Sequence, residues 1–287
     1  MRPFVANIVR AVPTLVIVAA AIAVGFWLWD HYMLQPWTRD GRVRADVINV
    51  APDVSGLVSE VAVRDNAEVK KGDLLFRIDQ QRFNIAAEKA EAAVLSSQAT
   101  RDQAQRDQER YDELVGVTSQ QKIEEARASS LRAQADYQAA VAARDAAKLD
   151  LARAEVHAAA NGIVSNLSLR PGDYVSAGRP ALALIDTDSL RVEGYFEETK
   201  LPRIRIGAPT IITFPGQAVR IRGHVESIAG GIEDRERTDA AGTLANVNPT
   251  FTWVRLAQRV PVRIAIDSVP DGVRLIAGTT ATIEVQS

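Results

Sequence analysis

The residues that could do chemistry in this chain are few and widely separated. Its three histidines, His31, His157 and His224, fall in three different segments, and no H-E-x-x-H spacing accompanies them, so no metal site is expected. The adjacent carboxylates Glu197 and Glu198 could serve acid–base chemistry, but their position just before Leu-Pro is typical of a solvated turn. The sequence shows neither a serine nucleophile elbow nor a phosphate-binding glycine loop. We therefore predict a protein that is not an enzyme and that carries no cofactor.

Composition excludes two further classes of site. Lys and Arg number 34 against 36 Asp and Glu, so the net charge of −2 gives no basic face for nucleic acid. The absence of cysteine excludes disulfides and thiolate metal sites. The remaining question is which elements the sequence builds, and what they could hold or connect.

The N-terminal segment is predicted to cross a membrane once. Residues 11–30 contain an uncharged run of about the ~20 residues that span a bilayer core. Arginines precede the run within residues 1–10 and Asp30 follows it, so those ten residues form a predicted cytoplasmic tail and the bulk of the chain lies on the other side. A cleaved signal peptide is the open alternative, because Ala19–Ala23 offers small residues for cleavage.

Two segments about a hundred residues apart repeat the same half-motif. Residues 50–79 and 156–186 align without a gap, for example Val58 with Val164 and Val69 with Val175. This self-similarity predicts two halves of one small β-module. The four glycines expected in its turns are Gly56, Gly72, Gly162 and Gly178.

Residues 80–155, between the two halves, are predicted to form an antiparallel helical hairpin. The segment contains no proline and is rich in helix-forming residues. Seven-residue spacings run along both arms, which favours a coiled coil over two helices lying on a globular core. The first arm's rows are Phe83, Ala90, Ser97, Ala104, Tyr111 and, three residues later, Ala86, Ala93, Thr100, Asp107, Leu114. The second arm's rows are Ile123, Ser130, Tyr137, Arg144, Leu151 and Ala126, Ala133, Ala140, Ala147, Ala154.

The hairpin bends near residues 115–119, where Gly116 can end the first helix and Ser119 can cap the second. Arms of ~35 residues would reach about 50 Å at the α-helical rise. The remaining segments are predicted to be β-structure. Residues 38–49 form one strand that leads from the membrane into a barrel, residues 187–287 supply five or six further strands, and residues 230–248 form a loop.

This organisation resembles the membrane fusion proteins, the periplasmic adaptors of the HlyD, EmrA and AcrA kind. The resemblance implies an α+β fold, elongated and modular. In it, an N-terminal transmembrane helix precedes a split lipoyl/biotinyl-like β-module, which an antiparallel coiled-coil hairpin interrupts, and a small β-barrel follows. The segment Asn248–Ile264 looks like the barrel of the EmrA and AaeA branch. The residues that carry this local match are Asn248, Pro249, Phe251, Trp253, Arg255, Gln258, Arg259, Pro261 and Arg263.

The resemblance implies a subunit of a tripartite efflux pump in the Gram-negative inner membrane. Its partners would be an inner-membrane transporter, either an aromatic-acid exporter or a major-facilitator protein, and a TolC-like outer-membrane channel. Several copies would form a ring, a hexamer or a trimer of dimers. Likeness to the AaeA type implies export of aromatic carboxylic acids such as hydroxybenzoates. An EmrA-like multidrug adaptor and a type I protein secretion adaptor remain alternatives, although secretion adaptors usually carry longer hairpins.

The bend of the hairpin carries a second local resemblance. In many adaptors an Arg, a Leu and a Ser near the bend contact the outer-membrane channel, and Arg110, Leu114 and Ser119 resemble that pattern. The alternative is a purely structural turn, in which Leu114 packs the last rung and Ser119 caps a helix.

A lipoyl-like module also suggests a swinging-arm carrier domain, which presents a modified lysine at the tight turn between its halves. Here the hairpin replaces that turn, and Asp79–Gln81 leads directly into helix without such a lysine. The insertion therefore argues against carrier chemistry and for a bridging role.

Overall fold

A computed structural model describes residues 16–26, 28–29, 35–114, 116–216, 219–232, 237–238, 246–247, 257–270 and 272–286. The chain divides into two compact units, residues 1–45 with 189–287, and residues 46–188. Residues 16–26, 28 and 29 are helical. Within the described ranges, no helix combines the length and apolar character needed to cross a membrane. The predicted anchor lies partly outside those ranges and stays a prediction.

The first unit is built on a closed six-stranded barrel with strand order β1-β10-β15-β12-β11-β16. Alternate residues of each strand point inward, and these are mostly Val and Ile, which suit a half-buried pleated surface. Phe196, Ile212 and Ile264 are among the fully buried side chains of the interior. The strands are β1 Trp37–Arg44, β10 Arg191–Glu197, β11 Pro209–Thr213, β12 Arg220–Ile228, β15 Arg259–Ser268 and β16 Thr280–Val285.

Two sequence predictions about this unit need correction. The single strand expected over residues 38–49 is two strands, β1 in the barrel and β2 (Val47–Val50) in the other unit. The buried side chains are at odd positions such as Val43 in β1 but at the even position Val50 in β2. This alternation shifts because the chain leaves one sheet and enters another. Inside the loop predicted at 230–248, β13 (Arg237–Thr238) pairs with β14 (Asn246–Val247).

The second unit contains the split β-module, two four-stranded sheets of order β2-β9-β7-β4 and β6-β5-β3-β8. Its further strands are β3 Gly56–Val61, β4 Glu68–Val69, β5 Leu74–Ile78, β6 Glu155–His157, β7 Gly162–Ser165, β8 Tyr174–Val175 and β9 Leu182–Asp186.

The two halves of the module exchange strands with pseudo-twofold symmetry. Gly56 pairs with Val175 in one sheet, and the equivalent Gly162 pairs with Val69 in the other. The backbone N–H of Gly72 donates to Ala158 O at 2.8 Å, and that of the equivalent Gly178 donates to Pro52 O at 2.9 Å. The repeat in the sequence is therefore a repeat of hydrogen bonds, and each half completes the other.

The four glycines of the module serve two different purposes. Gly72 and Gly178 adopt φ of +93° and +75° and lie in turns, as predicted. Gly56 and Gly162, also predicted in turns, instead begin strands β3 and β7. A Cβ at Gly162 would lie 2.3 Å from the backbone oxygen of Ile185, so these two positions need glycine for close approach rather than for turning.

The hairpin consists of α1 (Gln81–Glu113) and α2 (Gln120–Arg153), packed on each other. Both predicted rows of α2 face α1, and the first predicted row of α1 faces α2. The prediction for the second row of α1 is wrong, because the row that faces α2 lies one residue later in the sequence. The partly or fully buried row is Ala87, Val94, Arg101 and Gln108, whereas Ala86, Ala93, Thr100 and Leu114 are exposed and Asp107 is half-buried. The split module, the coiled-coil hairpin and the barrel together confirm the predicted α+β fold.

Candidate functional site

The bend of the hairpin is a tight turn organised by one carbonyl group. The backbone oxygen of Leu114, the C-cap of α1, accepts hydrogen bonds from the N–H groups of Val117 at 3.0 Å and Thr118 at 3.2 Å. Gly116 reverses the chain with φ of +90°, a conformation that residues with a Cβ rarely adopt. Gly116 is thus a turn residue, as expected, and α1 already ends at Glu113.

The three predicted channel contacts all lie at this end of the hairpin. Arg110 is in the last turn of α1, where a cation is favoured, and its guanidinium lies 3.2 Å from the Asp107 carboxylate while remaining 64 % exposed. Leu114 is 39 % exposed. Ser119 occupies the N-cap of α2, but its side chain makes no capping hydrogen bond. Its hydroxyl group therefore does not hydrogen-bond to the backbone N–H groups at the start of α2.

Sequence reasoning missed Val117, which is 85 % exposed and is the most exposed large hydrophobic residue among those the structure describes. Turns are usually polar, so a valine directly after the turn glycine was the available signal. Leu114 and Val117 together give the end of the hairpin an apolar surface, with the cationic Arg110 one helical turn before Leu114. Such a surface suits docking to another protein rather than a chemical reaction.

Contacts across the hairpin seam hold the bend in place. The Arg127 guanidinium of α2 lies 2.8 Å from the Asp112 carboxylate of α1. Farther from the bend, the Arg101 guanidinium stacks 4.3 Å from the centre of the Tyr137 ring. These contacts explain how a seam with polar residues such as Arg101 still pairs two helices.

A third cross-seam contact lies nearer the β-module. The Lys148 ammonium approaches the Glu91 carboxylate at 2.9 Å. The hydrogen bond from Lys148 lowers the pKa of Glu91 below its ordinary value. Both arms are therefore tied to each other along most of their length.

Each helix also leaves an apolar edge on the side away from its partner. We call the α2 edge the exposed residues that recur every three or four positions, Ala128, Leu131, Ala135, Ala139, Ala142, Ala146 and Leu149. The α1 edge is the exposed set Ile85, Ala92, Leu95 and Ala99. Leu131 is 72 % exposed and Leu95 is 62 % exposed, so these edges are uncovered in a single chain.

The two edges lie at matching heights along the hairpin. The Glu91–Lys148 and Arg101–Tyr137 contacts set residues 91–101 of α1 level with residues 137–148 of α2. Because the helices are antiparallel, Ala92 of the α1 edge is level with Ala146 of the α2 edge, and Ala99 is level with Ala139. When two hairpins stand side by side in the same direction, the α1 edge of one would face the α2 edge of the next.

The groups considered for chemistry have ordinary structural roles. The His157 ring nitrogen Nδ1 lies 3.0 Å from Gly72 O, and that of His224 lies 2.6 Å from the Asp267 carboxylate. Glu197 is the last residue of β10 and Glu198 begins a short 3₁₀ helix, so the two carboxylates lie at the predicted turn, while His31 lies outside the described residues. Within the described part of the chain, no group of three or more potential metal ligands occurs.

The described residues of the barrel motif line up on β15 and just before it. Gln258 precedes the strand, while Arg259, Pro261 and Arg263 alternate along its outer face. Arg263 pairs with Glu226 at 2.9 Å. The remaining motif residues, Asn248, Pro249, Phe251, Trp253 and Arg255, lie outside the described ranges.

Comparison with known proteins agrees with this arrangement. A family profile described as the barrel-sandwich hybrid domain of RND membrane fusion proteins matches residues 46–187, and one described as an AAEA-like beta-barrel domain matches residues 189–286. The uncharacterized protein YdhJ of Escherichia coli (strain K12) is 41 % identical over 273 residues, which cover 95 % of this chain and 96 % of YdhJ.

Two solved structures share the fold at low sequence identity. The membrane fusion protein Spr0693 from Streptococcus pneumoniae R6 matches with a TM-score of 0.66 and 17 % identity, over 88 % of this chain and 98 % of its own. A MacA-MexA chimeric protein containing the Pseudomonas aeruginosa MexA α-hairpin domain matches with a TM-score of 0.58 and 19 % identity, over 88 % and 81 %.

Proposed function

Because this chain belongs to the membrane fusion protein family and carries an AAEA-like barrel domain, we propose that it is the adaptor subunit of a tripartite efflux pump. In this role it links an inner-membrane transporter to an outer-membrane channel and catalyses no reaction. The observation that carries the proposal is the exposed apolar bend, Leu114 with Val117, at the end of a hairpin inserted into the split β-module.

In the proposed topology residues 11–30 anchor the chain in the inner membrane of a Gram-negative cell. The N-terminus is cytoplasmic and the β-modules and hairpin are periplasmic. The bend then contacts a TolC-like channel through Arg110, Leu114 and Ser119, with Val117 added to that surface. The arms of 33 and 34 residues support small-molecule efflux over protein secretion, whose adaptors usually have longer hairpins.

The cargo we favour is a class of small aromatic carboxylic acids, exported by an aromatic-acid exporter. An EmrA-like multidrug pump with a major-facilitator transporter is the alternative. The AAEA-like barrel domain supports the export of aromatic acids. Copurification of the tagged chain with its transporter after crosslinking would identify the transporter class and decide between them.

The two apolar edges of the hairpin support self-association. A contact between the α1 edge of one copy and the α2 edge of the next uses two different surfaces, so it can repeat around a closed ring. A hexamer or a trimer of dimers would satisfy both edges of every copy. Leu131→Asp and Ala142→Asp should reduce the crosslinked oligomer at least about tenfold. Ser129→Asp, a charge change at an exposed position of the same helix away from this stripe, should leave the oligomer intact.

The bend is tested by Leu114→Asp and Val117→Asp in cells that depend on the pump. Each variant places a charge on the apolar contact surface, so we expect loss of copurified outer-membrane channel and of efflux at unchanged expression. Ser129→Asp is again the control, because it adds a charge to the same hairpin away from the bend and from the edges. Retention of the channel by both bend variants would contradict the proposed contact.

A further inference from the structure

The outer face of the barrel carries a groove of about 780 Å³. It lies across β1 and β10 and ends at the beginning of β15. Its polar lining includes Arg42, Arg44, Asp40, Tyr195, Glu197 and Arg259. A neighbouring cavity of about 320 Å³ shares four of these residues and continues the groove toward Trp37. The volume is in the range of small-molecule sites.

Positive charge predominates along this groove. Five cationic side chains line the two cavities, against two carboxylates, in a chain whose net charge is −2. Arg259 pairs with Asp40. Arg44 lies 3.5 Å from the Glu193 carboxylate and hydrogen-bonds the Tyr195 side chain, which raises the pKa of Arg44.

Two cations of the groove have no such partner. No described carboxylate lies within 4.0 Å of the guanidinium of Arg39 or Arg42. Arg42 is exposed, so a ligand can reach it directly. An arginine that is not already paired presents its donors in a planar fork that matches a carboxylate or a phosphate.

Aromatic groups border the same cations. The Trp37 ring lies 5.4 Å from the Arg39 guanidinium and 5.3 Å from the Lys200 ammonium. Its indole N–H is buried and has no acceptor among the described residues. Tyr195, which lines both cavities, pairs with Pro261 in the register of β10 and β15. The groove therefore combines guanidinium donors with apolar surface along its length.

We propose that this groove binds a small oxyanion, a carboxylate or phosphate group, through Arg42 and Arg259. Arg42 supplies the free guanidinium, and Arg259 exchanges the Asp40 carboxylate for the ligand. Part of the barrel motif, Gln258 with Arg259, would then serve this site. The ligand is either a soluble organic acid or the headgroup of an anionic phospholipid. The proposal does not depend on the pump function.

Isothermal titration calorimetry on the full-length protein in a non-ionic detergent tests this site. The two probes are sodium benzoate, a soluble carboxylate, and dihexanoyl phosphatidylglycerol, a short-chain anionic lipid. The double variant Arg42→Gln with Arg259→Gln should weaken binding at least about tenfold, because each arginine provides a charge-assisted hydrogen bond. Arg263→Gln, which removes an arginine of β15 outside the groove lining, is the matched control.

Saturable binding of benzoate that requires Arg42 and Arg259 supports the site and identifies a soluble acid as its ligand. Saturable binding of the lipid with the same requirement supports the site and identifies a headgroup. Binding of neither probe, or equal weakening by Arg263→Gln, overturns the proposal. Circular dichroism of each variant verifies that the barrel remains folded.

Discussion

The barrel and the hairpin use buried surface in opposite ways. Among the described residues, the barrel core is a cluster of thirteen buried hydrophobic side chains, mainly Val and Ile, and the exposed positions of its strands are largely charged. The hairpin has 33 and 34 residues in its arms, but its helices bury only Phe83, Ala87, Val94, Ile123 and Ala133, and none of these completely. Much of its apolar surface points outward instead. A region that buries so little within one chain is suited to being completed by other chains.

The difference also shows in how each region tolerates polar residues. The hairpin seam includes Arg101 and Arg144, which reach solvent or pair with Tyr137 and Asp145. The described barrel core includes only Thr38 and Thr210 as buried polar residues. We therefore expect the barrel to depend on its interior and the hairpin to depend on many weak contacts.

The largest effect on stability should come from the barrel interior. Phe196 is fully buried, so Phe196→Ala should lower the free energy of unfolding by about 3–5 kcal/mol. Hydrogen exchange with mass spectrometry in increasing urea can follow barrel peptides separately from hairpin peptides. Ser129→Ala, at an exposed hairpin position outside the apolar edges, is the control and should change stability by less than about 0.5 kcal/mol. Equal effects of the two would remove the contrast between the regions.

A smaller effect is expected at the best-buried position of the first hairpin arm. Val94 is 4 % exposed, and Val94→Ala removes two methyl groups that should cost about 1.5 kcal/mol. The loss should be confined to hairpin peptides in the same exchange experiment. Ala93→Ser, at the exposed neighbouring position, should have almost no effect. Protection lost in barrel peptides would show that the two regions do not unfold independently.

The Arg101–Tyr137 contact should contribute about 0.5–1 kcal/mol, the range for a partly exposed cation–π pair. A double-mutant cycle with Arg101→Gln and Tyr137→Leu measures the energy of this contact. The loss of the separate Arg101–Asp102 interaction occurs on both sides of the cycle and cancels in the coupling energy. A coupling energy near zero would mean that the ring and the guanidinium are merely adjacent.

The smallest effect should appear as a pH dependence of the hairpin. The Lys148 hydrogen bond lowers the pKa of Glu91 from its usual value of 4.5. The stabilising contribution is therefore present above pH 4.5 and is lost as the pH falls through the lower pKa of the folded state. Exchange rates of hairpin amides should rise over that interval, and the Lys148→Gln variant should lack this component. An identical pH profile in Lys148→Gln would exclude the pair as its source.

The sequence was most informative where a pattern repeats and least where one residue sets a register. The aligned Gly56 and Gly162 predicted the split module, although only coordinates show that both sites need glycine for close approach. The second row of α1 was misplaced because Ala86 and Ala87, like Ala93 and Val94, are adjacent and equally apolar. Helix spacing of three or four residues permits either choice, and only packing against α2 decides it.

The functional surfaces were harder to predict than the fold. Leu114 and Arg110 could be predicted by resemblance, but Val117 lies in a turn, where an exposed valine has no periodic neighbours to reveal it. The edges of the hairpin were hidden for a related reason. Alanine is common in any helix, so the stripe that includes Ala135 and Ala142 becomes visible only when the buried seam is known.

Site-specific photo-crosslinking in cells tests the bridging role most directly. Benzoyl-phenylalanine at Val117, which is 85 % exposed at the bend, should crosslink to an outer-membrane channel protein. The same probe at Ile206, 71 % exposed on the barrel, should crosslink to inner-membrane proteins or to another copy of this chain, but not to the channel. Capture of the channel from Ile206 and not from Val117, or from neither, would contradict an adaptor whose hairpin reaches the outer membrane.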